Sequence, residues 1–429
     1  MEDSVLDALA EEPIDWRMKG FPLDGRYPTI ARLRSLRPPL HDGGFTTPLA
    51  VIRERELTHN LEQMAEYCAK SGAVLAPHGK TTMAPQLFAR QLALGAWGIT
   101  AATPWQVRVF RAFGVGRVLL ANELVEEEAL AWLVDEQERD AEFELLSYVD
   151  SPASVERVAG LLDELGPSRP LDVLVEVGVE GRRTGCRDDT AILATVAAVR
   201  ASPHHRLVGV AGFEGVLGAE PTPAVIAGVE EFLARMRATA EGLASAGLID
   251  RERPVLSAGG SAFFDKVVDA LGGAFPDGRE PEVILRSGGY ATHDEGLYRD
   301  VSPFTRRASL GIDPLQAAIE VWTSVLSRPE AERAIVDAGR RDLPFDAGMP
   351  VARAVRHVDG STVPVPGAWS LMEMNDQHGF LHVGADDRLA PGDLVAFGIS
   401  HPCTLFDKWR LIPVVDEEDR VVDAFRTFF

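Results

Sequence analysis

The sequence Pro77-His78-Gly79-Lys80-Thr81-Thr82-Met83 decides how the chain is interpreted, because it places one lysine directly after the short apolar run Ala73-Val74-Leu75-Ala76. The residues that follow, 84–94, have a helical pattern. A lysine between a strand and a helix lies at the mouth of an α/β fold, where partial desolvation lowers the pKa of its amine. Such an amine forms imines with carbonyl compounds. We therefore predict an imine-forming role for Lys80; for a lysine taken alone, the alternative is a solvated loop side chain.

The composition is that of an acidic protein with a large apolar core. The chain has 429 residues, enough for two domains, and 46% of them are hydrophobic. Its formal net charge of -22 argues against nucleic acid and anionic membranes as partners. The three cysteines lack disulfide spacing, which predicts a reducing compartment. No apolar run reaches the ~18 residues of a membrane span, and Met1-Glu2-Asp3-Ser4 does not begin a signal peptide. We predict a cytoplasmic enzyme.

Eight short β-rich runs alternate with helical patterns between residues 45 and 305. The runs centre near Val74, Ile99, Leu119, Leu145, Val173, Gly209, Leu256 and Ile284. A wide gap separates the sixth run from the seventh, and a long helical pattern over 221–247 fills it. Eight strands that alternate with helices predict a (β/α)8 TIM barrel over residues 45–305.

The chain on either side of the predicted barrel has a different pattern. After Pro303, strand-like stretches at 318–323 and 393–398 are broken by Gly and Pro turns, which predicts a carboxyl-terminal β domain over 306–429. The run Thr47-Pro48-Leu49-Ala50-Val51-Ile52 would be a ninth strand. Residues 1–44 show no clear periodicity, and we interpret them as a peripheral extension.

Two glycine pairs follow the last two predicted barrel strands. The first is in Ser257-Ala258-Gly259-Gly260-Ser261 and the second in Arg286-Ser287-Gly288-Gly289-Tyr290. Barrels often bind phosphate at these two loops, and glycine lets backbone N–H groups approach a phosphate closely. A single pair more often marks a turn. Two pairs together with Lys80 predict a cradle for a phosphate-bearing cofactor, built from Ser257, Gly259, Gly260, Ser287, Gly288, Gly289 and Tyr290.

The lysine motif gives the cofactor an identity. Pro-His-Gly-Lys-Thr resembles the pyridoxal 5'-phosphate (PLP) motif of fold-type III enzymes, in the branch that holds D-serine dehydratase and D-threonine aldolase and is related to the alanine racemase amino-terminal domain. The resemblance covers about residues 45–429. It implies PLP bound to Lys80, an alanine racemase-like barrel, a homodimer, and an amino-terminal segment, residues 1–44, that packs with the β domain. The two glycine segments resemble the phosphate loops of the family.

The resemblance also suggests two residues near the cofactor. The turn Gly181-Arg182-Arg183-Thr184-Gly185 resembles the Arg-Thr-Gly turn of the family and places Arg183 near the cofactor, with a solvated surface turn as the alternative. The segment Gly212-Phe213-Glu214-Gly215 resembles the Gly-Tyr-Glu-Gly segment of aldolase-like members. A carboxylate at Glu214 could hold a proton on the pyridine nitrogen and strengthen the electron sink. A capping or ion-paired glutamate is the alternative.

A possible metal site lies in Ser400-His401-Pro402-Cys403-Thr404. In an extended segment, residues two apart face the same side, so His401 and Cys403 could bind one ion. Imidazole and thiolate together suit Zn²⁺. A lone His-x-Cys is more often structural, but this one resembles the metal pair that the branch carries near its carboxyl terminus.

Two other segments near the predicted metal pair leave roles open. Asn375-Asp376-Gln377-His378-Gly379 resembles a Glu-His-Gly motif of the same enzymes, with Gln377 where the family usually has Glu. That departure leaves the role of His378 undecided. Asp407 could be an additional metal ligand or an ordinary solvated side chain.

The predicted function is that of a PLP- and metal-dependent lyase acting on D-3-hydroxy amino acids. In one outcome Lys80 removes the α-proton and hydroxide departs from Cβ, which gives ammonia and a 2-oxo acid, as in D-serine dehydratase. In the other the β-hydroxyl loses its proton and the Cα–Cβ bond breaks, which gives glycine and an aldehyde, as in D-threonine aldolase. The D configuration rests on the resemblance alone. A metal-free racemase and a non-enzymatic cofactor-binding protein are the less favoured alternatives.

Overall fold

The computed structural model describes residues 3–429. Residues 1 and 2, the start of the predicted extension, lie outside the described residues. The strands are β1 Leu49–Arg53, β2 Val74–Leu75, β3 Ile99–Ala101, β4 Arg117–Glu123, β5 Glu144–Val149, β6 Leu171–Val177, β7 His205–Gly212, β8 Val255–Ala258, β9 Glu282–Leu285, β10 Ile319–Glu330, β11 Arg333–Val336, β12 Val351–Arg356, β13 Thr362–Pro364, β14 Ser370–Met374, β15 Gly379–His382, β16 Leu394–Gly398, β17 Leu411–Val415 and β18 Val421–Arg426. The α-helices are α1 Asp3–Ala10, α2 Ile30–Leu36, α3 Glu54–Ser71, α4 Pro85–Ala93, α5 Pro104–Ala112, α6 Glu127–Arg139, α7 Pro152–Leu165, α8 Asp189–Ala201, α9 Pro223–Ser245, α10 Phe264–Leu271, α11 Leu297–Val301, α12 Pro303–Arg306 and α13 Cys403–Phe406.

Eight strands form a parallel sheet in the order β2-β9-β8-β7-β6-β5-β4-β3. The two outer strands of this order approach each other through a parallel bridge between His78 and Thr100, and the amide of Thr100 donates to the carbonyl oxygen of Pro77 at 2.9 Å. The sheet therefore curls into a (β/α)8 barrel. Each of the eight predicted runs is one of these strands, and the helix predicted over 221–247 is α9, so the predicted fold class is confirmed.

The barrel helices begin at sequence signals that repeat along the chain. Helices α5, α7 and α9 each start with a proline preceded by an N-cap Thr or Ser, namely Thr103, Ser151 and Thr222. The cap hydroxyl accepts a backbone N–H of the first turn, and proline at the first helical position gives up no hydrogen bond. These three helices return the chain along the outside of the sheet after β3, β5 and β7.

The barrel interior changes from apolar to polar along its strands. Buried apolar residues fill it, among them Ala76, Leu119, Leu146, Leu174, Val255 and Ile284. Alternate residues of a strand face the same side. Of the six interior positions two residues further on, one is Ala121 and five are polar, namely His78, Tyr148, Glu176, Ser257 and Arg286. We call these five residues the polar layer. Because they lie at the carboxyl ends of the strands, they occupy the end of the barrel where active sites form.

The second sheet is antiparallel apart from one pair of strands. Its main path runs in the order β13-β12-β16-β10-β1-β17-β18, and β11, β14 and β15 extend it. The predicted strands at 318–323 and 393–398 lie in β10 and β16, so the carboxyl-terminal β domain is confirmed. The predicted ninth strand is β1, which pairs with β10 in a register that puts Leu49 opposite Trp322.

The chain divides into two compact units. One holds Ala65–Lys80 and Gln91–Gly288 with the barrel; the other holds the described residues before Ala65, Thr81–Arg90 and Gly289–Phe429. In the second unit, part of the amino-terminal segment packs in one apolar core with the antiparallel sheet, through residues such as Phe21, Ile30, Leu33, Trp322 and Ala424. The division differs from the predicted limits of 45–305 because β1 pairs with β10 and β17 and not with a barrel strand. Within residues 3–429, no helix is long and apolar enough to cross a membrane.

Candidate active site at the carboxyl ends of the barrel strands

Lys80 lies in a single 3-10 turn, Gly79–Thr81, shortly after the first barrel strand. Helix α4 follows, as the pattern over 84–94 predicted. Gly79 is required because a Cβ atom there would come within 2.5 Å of Cζ of Phe110 and 2.7 Å of Cγ2 of Ile99. The turn therefore lies directly against the side chains of its neighbours and carries a partly buried Lys80 at the barrel end. The predicted lowering of the Lys80 pKa stays a prediction.

His78 is held as a neutral imidazole beside Lys80. Burial, followed by the charges of Lys80, Arg286 and Arg183, lowers the pKa of His78 well below its ordinary value. Its Nδ1 atom is buried and has no hydrogen-bond partner among the described side chains and backbone. An unpaired ring nitrogen in this position leaves a polar contact open for a bound molecule. His78 belongs to the lysine motif, but the sequence alone predicts no role for it.

Arg286 is a functional candidate that sequence reasoning missed. Only 6% of it is exposed, and its guanidinium donates to Oγ of Ser257 at 2.8 Å and to the carbonyl oxygen of Gly212 at 2.7 Å. A buried guanidinium at the ends of three adjacent strands gives the polar layer a fixed positive charge. A signal was available in the sequence, since Arg286 lies two residues before the second glycine pair.

The first glycine loop makes a contact that was not predicted. The amides of Gly259 and Gly260 donate to Oε2 and Oε1 of Glu214, at 3.0 and 2.7 Å. Glu214 is fully buried. Ser257 lies within β8, and its hydroxyl donates to the carbonyl oxygen of Ile284 at 3.1 Å. The cofactor roles of Ser257, Gly259, Gly260 and Glu214 stay predictions, and the structure shows what each contacts within the protein.

The second glycine loop spans the division between the units. The hydroxyl of Ser287 donates to the carbonyl oxygen of Gly260 at 3.1 Å, so the two glycine loops are hydrogen-bonded to each other within the barrel unit. Gly288 ends that unit, whereas Gly289 and Tyr290 belong to the other. The phosphate-binding roles of Ser287, Gly288, Gly289 and Tyr290 stay predictions.

Arg183 projects from an exposed turn onto an aromatic ring. Its guanidinium carbon lies 4.6 Å from the ring centre of Phe213, the residue before Glu214. The charge of Arg183 also lowers the pKa of His78, so Arg183 acts electrostatically on a member of the polar layer. The predicted place near the cofactor stays a prediction, and the contact with Phe213 distinguishes Arg183 from a purely solvated turn residue.

Two glutamates, at the carboxyl ends of β4 and β6 on either side of β5, influence each other's protonation. Burial, the nearby carboxyl of Glu176 and that of Asp150 raise the pKa of Glu123 to about 8. Burial is also the main cause that raises the pKa of Glu176, and hydrogen bonds from Thr184 and Glu123 oppose it. Glu123 therefore keeps a proton at neutral pH and donates it toward Glu176. Sequence reasoning missed this pair because its members lie 53 positions apart.

His401 and Cys403 lie together, though not in the predicted extended segment. Pro402 has helical angles, φ −59° and ψ −42°, and Cys403 begins the short helix α13. The prediction of an extended conformation is wrong because Pro402 starts a helical turn. The two side chains still meet, since the Cys403 thiol is the main influence that, with Asp346, raises the pKa of His401 to about 9.

Polar partners hold both members of the pair. Nδ1 of His401 lies 2.6 Å from Oδ2 of Asp346, whose other oxygen accepts from the Thr404 hydroxyl at 2.6 Å. Oγ1 of Thr81 lies 3.3 Å from the sulfur of Cys403. This arrangement is that of a metal-binding histidine whose second nitrogen is held by a carboxylate. Imidazole and thiol are a donor set that suits zinc, so these residues fit a metal.

The other candidate ligands lie apart from this contact. Asp407 pairs with its neighbour Lys408 at 3.2 Å, and His378 is exposed. Nε2 of Gln377 donates to Asp342 at 2.9 Å. Residues 3–429 contain no group of three or more His, Cys, Asp or Glu side chains arranged to hold a metal ion. Metal binding by His401 and Cys403 therefore stays a prediction.

Two family models match the chain. The alanine racemase N-terminal domain matches residues 52–266, just over half of the chain. The chain belongs to this family. The chain is a member of the fold-type III branch of PLP enzymes, as the lysine motif predicted. The model of the putative serine dehydratase domain matches residues 318–415, a range that includes His401 and Cys403.

Similar proteins cover half of the chain or more. D-threonine aldolase from Arthrobacter sp is 28% identical over 360 residues, which is 82% of this chain and 86% of the relative. D-threo-3-hydroxyaspartate dehydratase from Delftia sp. (strain HT23) is 31% identical over 218 residues, 50% of this chain and 54% of the relative. The structure of D-threonine aldolase from Filomicrobium marinum has a TM-score of 0.72 at 24% identity and covers 90% of this chain and 95% of that one. The structural likeness confirms the fold.

Proposed function

We propose that the protein is a PLP-dependent lyase that acts on D-3-hydroxy amino acids, with D-serine dehydratase-like elimination as the primary reaction. The observation that supports it best is the place of Lys80, in a turn at the carboxyl end of the first barrel strand, beside a neutral His78 and near the buried guanidinium of Arg286. Family membership supports the cofactor. The names of the relatives, an aldolase and a dehydratase, support the reaction class.

The barrel residues fit PLP. Lys80 would bind the cofactor covalently, and the unpaired Nδ1 of His78 offers an open polar contact in the same layer. Arg286, already fixed by Ser257 and Gly212, contributes a rigid positive charge. When bound, PLP supplies an electron sink for the charge that develops at Cα. The two glycine loops, with Ser287, Gly288, Gly289 and Tyr290, are the proposed phosphate site.

The protein supplies the proton transfers. Lys80 would take the α-proton of the substrate as a general base, a role that fits its place in the partly buried turn at the end of the barrel. The charge of Arg286 stays in place throughout, since a guanidinium does not lose its proton. Glu123 retains a proton at neutral pH at the same end of the barrel.

The proposed metal site is the pair His401 and Cys403. A bound divalent metal, most simply zinc, would polarise the β-hydroxyl of the substrate. Asp346 would orient the imidazole of His401 toward the ion. Two protein ligands would leave positions for water and substrate, as a catalytic site needs. The Asp346 contact and the chemistry of the donor set support this assignment.

A second reaction is supported by a separate observation. A relative that matches 82% of the chain is a D-threonine aldolase, and the predicted likeness of Gly212-Phe213-Glu214-Gly215 to aldolase-like members points the same way. Retro-aldol cleavage to glycine and an aldehyde is therefore the alternative. The serine dehydratase domain match over 318–415 favours elimination.

One incubation separates the two reactions. Purified protein is supplied with PLP and zinc and given D-serine or D-threonine, and the products are measured. Elimination predicts pyruvate and 2-oxobutyrate with ammonia, and cleavage predicts glycine with an aldehyde. The L-enantiomers and the Lys80→Ala variant are the controls. Racemised substrate as the only product would contradict both lyase reactions. The same preparation, run on a sizing column, tests the predicted homodimer.

A further inference from the structure

Glu214 has a role in the structure that differs from the one its motif suggests. It lies directly after Phe213 at the end of β7 and is fully buried. Its two carboxyl oxygens each accept one N–H, from the consecutive residues Gly259 and Gly260. A pair of consecutive amides that points at one group is a typical anion-binding arrangement. In this chain the protein's own carboxylate already occupies it.

The neighbours of this contact fix its geometry. Gly259 has φ +100°, a conformation that disfavours other residues, and a Cβ atom there would come within 2.9 Å of Leu285. A Cβ atom at Gly260 would come within 2.9 Å of the ring of Phe213. The loop and the carboxylate therefore pack with no room for a side chain. The ring of Phe213 is covered in turn by Arg183, at 4.6 Å.

The contact limits what Glu214 can do for a cofactor. A carboxylate that accepts two backbone N–H groups within the loop has its hydrogen bonds directed at that loop. A phosphate that displaced it would leave a buried carboxylate without partners, which is costly. A phosphate beside it would bind through other donors of the two loops.

We propose that Glu214 is a positioning residue that holds the Gly259–Gly260 turn of the cofactor's phosphate loop in shape and does not act on the cofactor ring. The inference rests on the proposed PLP-dependent function and concerns one part of its site. Since Ser287 donates to the carbonyl oxygen of Gly260, the clamped turn also positions the second loop. Loss of the two hydrogen bonds to Glu214 should therefore weaken phosphate binding and leave the contacts with the cofactor ring unchanged.

Two cofactors that differ only in phosphate provide the test. Protein stripped of cofactor is titrated with PLP and with pyridoxal, which lacks the phosphate, and the visible absorbance of the lysine-bound form is followed. In Glu214→Gln, an amide NH₂ group replaces one acceptor and faces a backbone N–H. We expect the Kd for PLP to rise about tenfold or more, with the Kd for pyridoxal and the absorption maximum unchanged.

Two further variants complete the design. Glu220→Gln, at an exposed position six residues along the same segment, is the matched control and should bind both cofactors as the wild type does. Glu214→Asp keeps the charge but is shorter by one methylene, so it should reach only one amide and give an intermediate Kd for PLP. It also serves if Glu214→Gln does not fold.

Each other outcome has a defined meaning. An equal loss of PLP and pyridoxal affinity, or a shifted absorption maximum, would show that Glu214 acts on the ring and would overturn the inference. Unchanged PLP affinity in both Glu214 variants would overturn it as well. Wild-type protein that forms no absorbing adduct with PLP would contradict the proposed function and remove the basis of the inference. A PLP-binding wild type with no selective effect would contradict the inference alone.

Discussion

Replacing Glu123 by glutamine should stabilise the fold at neutral and alkaline pH. Burial, Glu176 and Asp150 raise the pKa of this carboxyl to about 8, from an ordinary value of 4.5. Between these two pH values the unfolded chain has released a proton that the folded chain retains. Stability therefore falls as the pH rises through this window, and the loss is complete above pH 8. Glutamine has no proton to lose and can donate to Glu176, so the penalty disappears.

The size of the effect follows from the pKa. Ionising such a carboxyl in the fold costs up to roughly 4–5 kcal/mol, at about 1.4 kcal/mol for each tenfold change in proton affinity. Sharing of the proton with Glu176 and local relaxation reduce this figure. We expect Glu123→Gln to gain about 1–3 kcal/mol in the free energy of unfolding at pH 8. The gain should approach zero toward pH 4.5, where both side chains are neutral.

Urea unfolding at several pH values between 5 and 8.5 measures this difference, at equal cofactor occupancy because a bound ligand also stabilises. Glu142→Gln, at an exposed position before β5, is the matched control and should show no gain that depends on pH. A Glu123→Gln variant that is less stable than the wild type at pH 8, or whose gain is the same at pH 5 and pH 8, would contradict an ionisation penalty at Glu123.

The remaining predictions concern the lysine turn and the metal pair. Gly79→Ala places a Cβ atom 2.5 Å from the ring of Phe110, so the turn must shift, and cofactor absorbance per protein should fall to a small fraction. Chelation, or Cys403→Ala, should abolish lyase activity while the cofactor absorbance and the fold persist, because the metal acts on the substrate hydroxyl. Asp346→Asn should weaken zinc affinity about tenfold or more, because Asp346 orients His401.

Each of these three predictions has a control variant or a result that would contradict it. Gly116→Ala meets no atom within 4 Å and should load cofactor normally; equal loading of Gly79→Ala would remove the steric argument. Full activity of chelated enzyme on every D-3-hydroxy amino acid tested would end the metal role and favour a racemase. Asp407→Asn is the control for the zinc titration, since Asp407 pairs with Lys408. A larger loss in that control than in Asp346→Asn would reverse their assigned roles.

The barrel was predictable because its signal is local and repeated. Each strand is a short buried apolar run, and helices such as α5 and α7 begin at a Thr-Pro or Ser-Pro pair that is visible in the sequence. The pairing of strand Leu49–Arg53 was harder to predict, since its partners in β10 and β17 lie more than 260 residues away in the chain. A strand pattern shows that a segment is extended but does not identify its neighbours.

The site was predictable only where the motif itself contains the residue. Lys80 could be found from the sequence around it, whereas the bond from Gly259 to Glu214 depends on two strand ends meeting. The pairing of Asp346 with His401 joins residues 55 positions apart. The prediction of an extended segment at 401–403 was wrong at Pro402, because proline is also favoured where a helix begins.

Borohydride reduction of the purified, PLP-loaded protein, followed by peptide mapping, tests whether Lys80 carries the cofactor. Reduction makes the bond between lysine and cofactor permanent, so the labelled peptide identifies the lysine. We predict visible absorbance before reduction and label on Lys80, in the turn Gly79–Thr81. Label on Lys266 or Lys408 in place of Lys80, or no label at all, would contradict it.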